Sequence, residues 1–504
     1  MDIFFTVVSN LFTPFNLFLT FGGAFFGILV GAMPGLSSVM GLSIMLPFAI
    51  RIGGVGSILM LLGIYCGAVY GGSITAILIN TPGTANSAAT CLDGHPMALR
   101  GEAGRAISLS TTSSLIGGLL SAVALLFTAP LLSKFALKFG PTEYFALGIF
   151  GLSIVTSVSS TENVLKGILG ALLGLFLAEI GMDAINGLPR FTGGSVFLLG
   201  GINFVPVLIG LFAFSQGLIS IEEYNKNLKH ERTTQQKIKG VFPSKEDMKV
   251  CFPTYIRSSI IGIVIGIIPG TGGDIASWVA YNEAKRWSKH PEEFGKGTPE
   301  GIAAPEAGNN AVTGGALVPL LTLGIPGDSA TAIMLGALMM VGITPGPLLF
   351  VEQTESVYTI IIGLFLANLF MGLIGYAGVR LFAKIADVPK WIMTPIVFLF
   401  CIVGTYALNH TFGDIVVMFV AGIAGYVLLK LGFSVPPIIL GMILGKTIEN
   451  NFRRAYVIYD GDFSVFFTRP ISLVLLIIAV ISLIYPLVMP IILKKRREKQ
   501  VKEA

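Results

Sequence analysis

The residues best suited to chemistry in this chain are amides, hydroxyls and acids gathered around Pro-Gly pairs in an otherwise apolar sequence. Asn80, Thr84 and Asn86 flank Pro82-Gly83, with Ser73 and Thr75 shortly before. Asn309, Asn310 and Thr322 precede Pro326-Gly327, and Asp328 and Ser329 follow it. Two further breaks, Pro34-Gly35 and Pro269-Gly270, interrupt apolar runs, the second with Asp274 just beyond. Each break restarts a helix, and a new helix N-terminus offers unpaired N–H groups carrying about half a unit of positive charge. A carboxylate can be held there without a permanently buried cation. On this reading Gly35, Ser73, Thr75, Asn80, Pro82, Gly83, Thr84, Asn86, Gly270, Pro326, Gly327 and Ser329 are candidate substrate-binding residues, the glycines because backbone without a Cβ approaches a ligand closely. Sodium takes oxygen ligands from unwound carbonyls and small polar side chains, so Asn80, Thr84, Asp274, Asn309, Asn310, Thr322 and Asp328 are candidate sodium ligands. Arg257 is a candidate charge partner for Asp274. Glu306, directly after Pro305, either binds a proton or cation or caps the helix that follows. The duller account of each residue is a kink or a small-residue packing position.

These residues stand in a setting that makes them expensive. The chain has 504 residues, 53% hydrophobic and 12% charged, with mean hydropathy +0.81, which is a membrane composition. In hydrocarbon every freed backbone group needs a partner, so interrupted helices persist only where protein encloses them or where they line a wet cavity. The stretch Ala304–Gly327, with an acid, two amides and internal prolines, is therefore a site by default. A helical span needs about 20 apolar residues. Such runs recur throughout, and the chain reads as an all-α polytopic membrane protein with roughly 11–13 membrane segments, broken or re-entrant ones included. Barrel strands would alternate over about 10 residues and are excluded by these runs.

The organisation follows charge. Residues 221–250 hold the densest charge and no sustained apolar face, and they read as a cytoplasmic linker between a first membrane part, 1–220, and a second, 251–493. The basic tail 494–504 places the C-terminus in the cytoplasm. Directly after an apolar span, KKRREK is a topology anchor rather than a nucleic-acid site. Cys66, Cys91, Cys251 and Cys401 form no CxxC pair and read as packing residues. His95 and Arg100 lie in a polar loop, solvated or facing a partner, and His410 with Asp414 has helical i, i+4 spacing that suits either a proton relay or a loop between spans.

An internal repeat is the most informative pattern. Gly27-x-x-x-Gly31-x-x-Pro34-Gly35 recurs from Gly262 to Gly270, a shift of 235 positions (27 to 262). Gly71-Gly72 recurs as Gly314-Gly315, shifted by 243 (71 to 314), and Pro82-Gly83 as Pro326-Gly327, shifted by 244 (82 to 326). One small-xxx-small motif means little, but two motifs recurring in order predict two homologous halves. Broken helices at matching positions point to a secondary transporter with its site at the repeat interface. We expect the repeats to be inverted, which places the breaks near the bilayer midplane.

The segments GILVGAMPGL (27–36), GIYCGAVYGGSITAILINTPG (63–83), ATCLDGHPMALRGEAGRA (89–106), FGKGTPEGIAAPEAGNNAVTGGALVPLLTLGIPG (294–327) and GITPGPLLF (342–350) resemble the large membrane subunit of the tripartite tricarboxylate transporter family. The resemblance covers most of the chain. It implies a cation-coupled carrier of small carboxylates in the bacterial inner membrane, a symporter driven by sodium or protons. Its implied partners are a small membrane subunit of about four spans and a periplasmic substrate-binding protein. Ser37-Ser38 after MPGL, Cys66 in place of an aromatic, and the acids Asp274 and Asp328 depart from the family pattern. Those acids leave the charge of the substrate and the identity of the coupling ion open.

A membrane enzyme would need a nucleophile elbow or an HExxH helix, and neither occurs, so no catalytic residue and no cofactor beyond the coupling ion are expected. A passive channel, or a carrier working without a binding protein, is the alternative. A channel wants a ring of like residues, whereas unequal duplicated halves suit alternating access.

Overall fold

The structure is a computed structural model that describes residues 2–33, 35–159, 164–183, 186–226, 242–385 and 390–485. Pro34, most of the charged linker and the basic tail lie outside the described residues. The main helices are α1 (Asp2–Leu11), α2 (Pro14–Gly31), α3 (Ser38–Ile52), α4 (Gly54–Ile79), α5 (Cys91–Met97), α6 (Ala103–Ala136), α7 (Pro141–Ser159), α8 (Val164–Ala178) and α9 (Ser215–Lys226). They continue as α10 (Lys245–Ile267), α11 (Gly272–Trp287), α12 (Pro299–Leu323), α13 (Ser329–Met340), α14 (Thr354–Ile385), α15 (Lys390–Asn409), α16 (Phe412–Lys430), α17 (Pro436–Ile458) and α18 (Pro470–Tyr485). The chain is an all-α polytopic membrane protein. Among the described residues eight helices are long and apolar enough to cross a membrane, and four shorter apolar helices accompany them.

Helix starts follow local chemistry. Thr13 accepts the Asn16 N–H ahead of Pro14 in α2, and Ser37 does the same for Met40 in α3. Ser244 and Asp247 close a reciprocal capping box on α10, and Asp328 and Thr331 close another on α13. Each box satisfies two N–H groups that the helix end would otherwise leave unpaired.

The chain forms two compact units. The first comprises Met1–Ala136 and Leu208–Ile423; the second comprises Leu137–Val207 and Ala424–Ala504. Each draws on both the early and the late part of the chain.

Backbone contact holds the first unit together. Gly23, Gly27 and Gly31 of α2 lie against the main chain at Met60, Ile64 and Ala68 of α4, and Gly63, Gly67 and Gly71 of α4 lie reciprocally against Thr20, Ala24 and Ile28. Repeats of glycine every four residues let two helices meet without side chains between them. The pair α10 and α12 meets in the same manner, with Gly262 on the Gly308 carbonyl and Gly266 on Gly315 and Ala316. At the ends of α4 and α12 the chain turns back into these seams. A Cβ at Gly83 would strike the Gly31 carbonyl, and one at Gly327 would lie 2.6 Å from the Gly266 carbonyl.

The second unit packs α8 and α7 on α17, with Gly174 against the Ile438 carbonyl and Gly441 against that of Ala171. A short hairpin, Gly181–Met182 paired antiparallel with Pro189–Arg190, carries an ion network in which Arg190 and Arg453 both reach Asp183 and Glu449.

Candidate functional site

The start of α11 is the point on which the polar residues of the first unit converge. Gly270, in a left-handed conformation with φ 83°, turns the chain after α10 and donates its N–H to the Gly327 carbonyl at 2.8 Å. Thus the break before α11 is tied directly to the break before α13. Gly272 and Gly273 then open α11, and both are buried. Around Gly273 the space belongs to amides: a Cβ there would lie 2.5 Å from Asn309 Oδ1 and 2.8 Å from Asn86 Nδ2. Asn309 comes from the middle of α12 and Asn86 from a short 3-10 turn, Ala85–Ser87, just past Pro82-Gly83.

Asn309 is 1% exposed, yet neither its Oδ1 nor its Nδ2 has a hydrogen-bond partner. Leaving such a group unpaired costs about 1–3 kcal/mol. Thr84 Oγ1, buried against Gly72, is unpaired as well. Unpaired amide and hydroxyl groups beside the first N–H groups of a sixteen-residue helix can both donate hydrogen bonds to a ligand and accept them from it.

On the other side of Gly272 stand two acids. Asp328 Oδ1 accepts from Thr331 N and Thr331 Oγ1, both at 2.7 Å, and its Oδ2 takes the Tyr65 hydroxyl at 2.6 Å. Asp274 lies in the first turn of α11, and the same hypothetical Cβ on Gly272 would sit 2.7 Å from Asp274 Oδ1 and 3.9 Å from Asp328 Cβ. Among the described residues no basic side chain forms an ion pair with either acid. Arg257, a candidate partner for Asp274, instead lies over the ring of Trp287 at 5.8 Å. Two neighbouring carboxylates with no arginine or lysine between them, and oxygen donors around them, have the chemistry of a hard-cation site.

A third group surrounds Glu306. It is fully buried and sits well inside α12 rather than at a helix start. Its Oε1 accepts from Thr90 Oγ1 at 2.5 Å and its Oε2 from Ser114 Oγ at 3.1 Å. Ser114 in turn accepts from Asn310 Nδ2 at 2.8 Å, which orients the serine hydrogen toward Glu306. Ser73 pairs with Ser110 at 2.7 Å, and Tyr70 with Thr111 at 2.7 Å, continuing the hydroxyl lining along α4 and α6.

The remaining candidates fall around this centre or away from it. Gly83, Pro326 and Gly327 are buried at the turns, and Ser329 follows the Asp328 cap. Thr75 and Thr322 give their hydroxyls to helix carbonyls, those of Gly72 and Val318. Asn80 closes α4 in a left-handed conformation with an exposed side chain, and Gly35, also left-handed, is exposed. His95 Nδ1 lies 3.1 Å from the Ile77 carbonyl. Arg100 donates to the carbonyls of Lys296 and Gly297. His410 meets Arg51 at 2.6 Å, whereas Asp414 takes Asn409, so the two residues form no relay pair.

Tyr65, Gly273, Thr90 and Ser114 contact the candidate residues and were passed over in the sequence. The hydroxyl run in ISLSTTSSL (107–115) of α6 was the available signal for Ser114. Asp93 was also missed: the stretch expected as a polar loop is helical, and from α5 the buried Asp93 carboxylate accepts the N–H groups of Gly295, Gly297 and Thr298 and the Tyr281 hydroxyl at 2.7 to 3.1 Å, tying α5 to the approach to α12.

The sequence profile of the tripartite tricarboxylate transporter TctA family matches residues 17–440. The chain belongs to this family. The matched span holds every residue of the three polar groups above, and membership makes the protein a component of a tripartite transporter. Two proteins of Agrobacterium vitis are similar to this TctA-family chain. The "uncharacterized 52.8 kDa protein in TAR-I ttuC' 3'region" is 38% identical over 507 residues, 99% of each chain. The "uncharacterized protein in TAR-II ttuC' 3'region" is 37% identical over 242 residues, 48% of this chain and 100% of the relative. No solved structure matches the chain.

Proposed function

We propose that this protein is the large membrane subunit of a cation-coupled carrier that imports small carboxylates across the bacterial inner membrane. A periplasmic binding protein delivers the substrate, and a small membrane subunit of about four spans completes the complex. The observation that carries the reading is Asn309, a buried amide with both atoms unpaired beside Asn86 and Gly273 at the start of α11. A substrate carboxylate there accepts from the helix N–H groups and from the Asn309 and Asn86 amides, and Thr84 completes the shell.

Sodium binds next to it between Asp328 and Asp274, with Tyr65 steadying Asp328. Cation and anion then sit on either side of the two opening glycines of α11, so each lowers the electrostatic cost of the other. That proximity is the coupling. Glu306 and its hydroxyls are the place for a proton if the coupling ion is a proton.

Two inverted repeats form the framework of alternating access. Support comes from equivalent contacts: Gly83 against Gly31 in the first half, Gly327 against Gly266 in the second. The C-terminal tail lies in the cytoplasm.

The test is uptake into proteoliposomes holding both membrane subunits. Labelled carboxylate should accumulate only with the charged binding protein outside and an inward sodium or proton gradient. Uptake indifferent to the binding protein, or downhill flux indifferent to any gradient, would sink the reading.

A further inference from the structure

Helices α10 and α11 leave a cavity of about 280 Å³ between them, away from the site at their tip. All the charge of α10, namely Lys245, Glu246, Asp247, Lys249 and Arg257, precedes Ser258. From Ser258 to its end at Ile267 the helix is uncharged, a rise of roughly 15 Å at 1.5 Å per residue, about half of a 30 Å hydrocarbon core. Arg257 therefore stands where the apolar part of α10 meets water, with the Pro269-Gly270 turn at depth. α11 returns to the same level and ends on Trp287, whose ring lies 5.8 Å from the Arg257 guanidinium. Trp beside Arg is the side-chain pair of a membrane–water interface.

The lining divides by chemistry. Ile260, Ile261, Ala280 and Ala284 are apolar, and Ile260 is exposed, as is Val264 one turn deeper. Glu283 also lines the cavity, but its Oε2 takes Trp287 Nε1 at 3.1 Å and its Oε1 faces Arg286 at 3.5 Å. Arg257 bonds only the Pro253 carbonyl, at 3.4 Å, and among the described residues no carboxylate pairs with it. The cavity thus joins an arginine that, among the described residues, has no ion-pair partner to an apolar trough along Ile260 and Ile261.

We propose that an anionic phospholipid occupies this cavity, its phosphate on Arg257, its glycerol against Trp287 and one acyl chain along Ile260 and Ile261. The lipid pins the outer end of the α10–α11 hairpin, whose inner end forms the ligand site. This inference does not depend on which substrate is carried.

Trp287 reports the occupant directly. In a variant with Trp278→Phe and Trp391→Phe it is the sole tryptophan, and brominated lipids quench tryptophan they touch. In mixed vesicles, brominated phosphatidylglycerol should associate at this site about fivefold better than brominated phosphatidylcholine, the preference one basic residue confers near a membrane surface. Arg257→Gln should make the two lipids equal, and Arg257→Lys should keep the preference. Equal quenching by both lipids in the parent, or an undiminished preference in Arg257→Gln, overturns the proposal. Relief of quenching by millimolar glycerol 3-phosphate also overturns it, since the cavity would then take a soluble anion.

Discussion

The Tyr65 hydroxyl donates to Asp328 Oδ2 at 2.6 Å, joining residues 263 positions apart. Tyr65 is fully buried in α4, and Asp328 caps α13 through its other oxygen. One carboxylate therefore serves two tasks, closing a helix with one oxygen and holding the buried Tyr65 hydroxyl with the other. The two tasks separate by mutation. Asn caps helices about as well as Asp, while Ala forfeits roughly 1 kcal/mol. Asp328→Asn should melt close to the parent in detergent yet need at least about tenfold more sodium for half-maximal transport, because a charged ligand is gone. Tyr65→Phe should move the sodium requirement the same way by a smaller step. An unchanged sodium requirement in Asp328→Asn would remove the cation from this pair.

Asn309 predicts a trade of function for stability. Its unpaired amide costs about 1–3 kcal/mol in the absence of ligand, so Asn309→Leu, with the same number and branching of side-chain heavy atoms, should fold with an equal or higher melting temperature while losing transport. A variant that is destabilised and still transports would show that the amide has a packing role alone.

The glycines at the turns predict a steric pattern. Gly83→Ala and Gly327→Ala each drive a methyl into the backbone of a packed seam, at a cost of about 1–3 kcal/mol. Gly22→Ala, where nothing lies within 4 Å, should be neutral or slightly stabilising. Melting temperatures of the three variants check the order. If Gly22→Ala falls as far as the others, close packing is not what these glycines provide.

Asp93 predicts a coupled loss. It accepts from three main-chain N–H groups and the Tyr281 hydroxyl while fully buried, so Asp93→Ala strands four donors at once, on the order of 4 kcal/mol. The segment 288–298 should then be cut by protease much faster than in the parent. Equal cutting rates would show that the segment is held by other contacts.

How far the sequence disclosed this can be said residue by residue. The apolar runs and Pro-Gly breaks made the all-α membrane fold legible, because burying a broken helix in hydrocarbon has few physical solutions. Asn86 and Asp328, next to Pro-Gly breaks, and Asn309, midway along a buried helix, stand out in the sequence as candidates because polar side chains in an apolar setting are costly unless used. Tyr65 does not, since an aromatic in GIYCG looks like packing until the fold brings Asp328 to it. Gly273 was hidden because its role is the space it leaves for Asn309 and Asn86, and Asp93 because its partners are main-chain groups 202 to 205 positions away. Arg257 was a candidate partner of Asp274 on charge alone, with no spacing to fix it, and α10 directs its guanidinium to Trp287 instead.

The most direct measurement is carboxylate uptake by proteoliposomes carrying the parent or Asn309→Leu, each with the small subunit, the charged binding protein and an inward sodium gradient. The parent should accumulate substrate, and Asn309→Leu should lose at least about tenfold in uptake, the value of a hydrogen bond to a charged group, with its fold intact by melting temperature. Equal uptake by both proteins would contradict a substrate site at Asn309 and the start of α11.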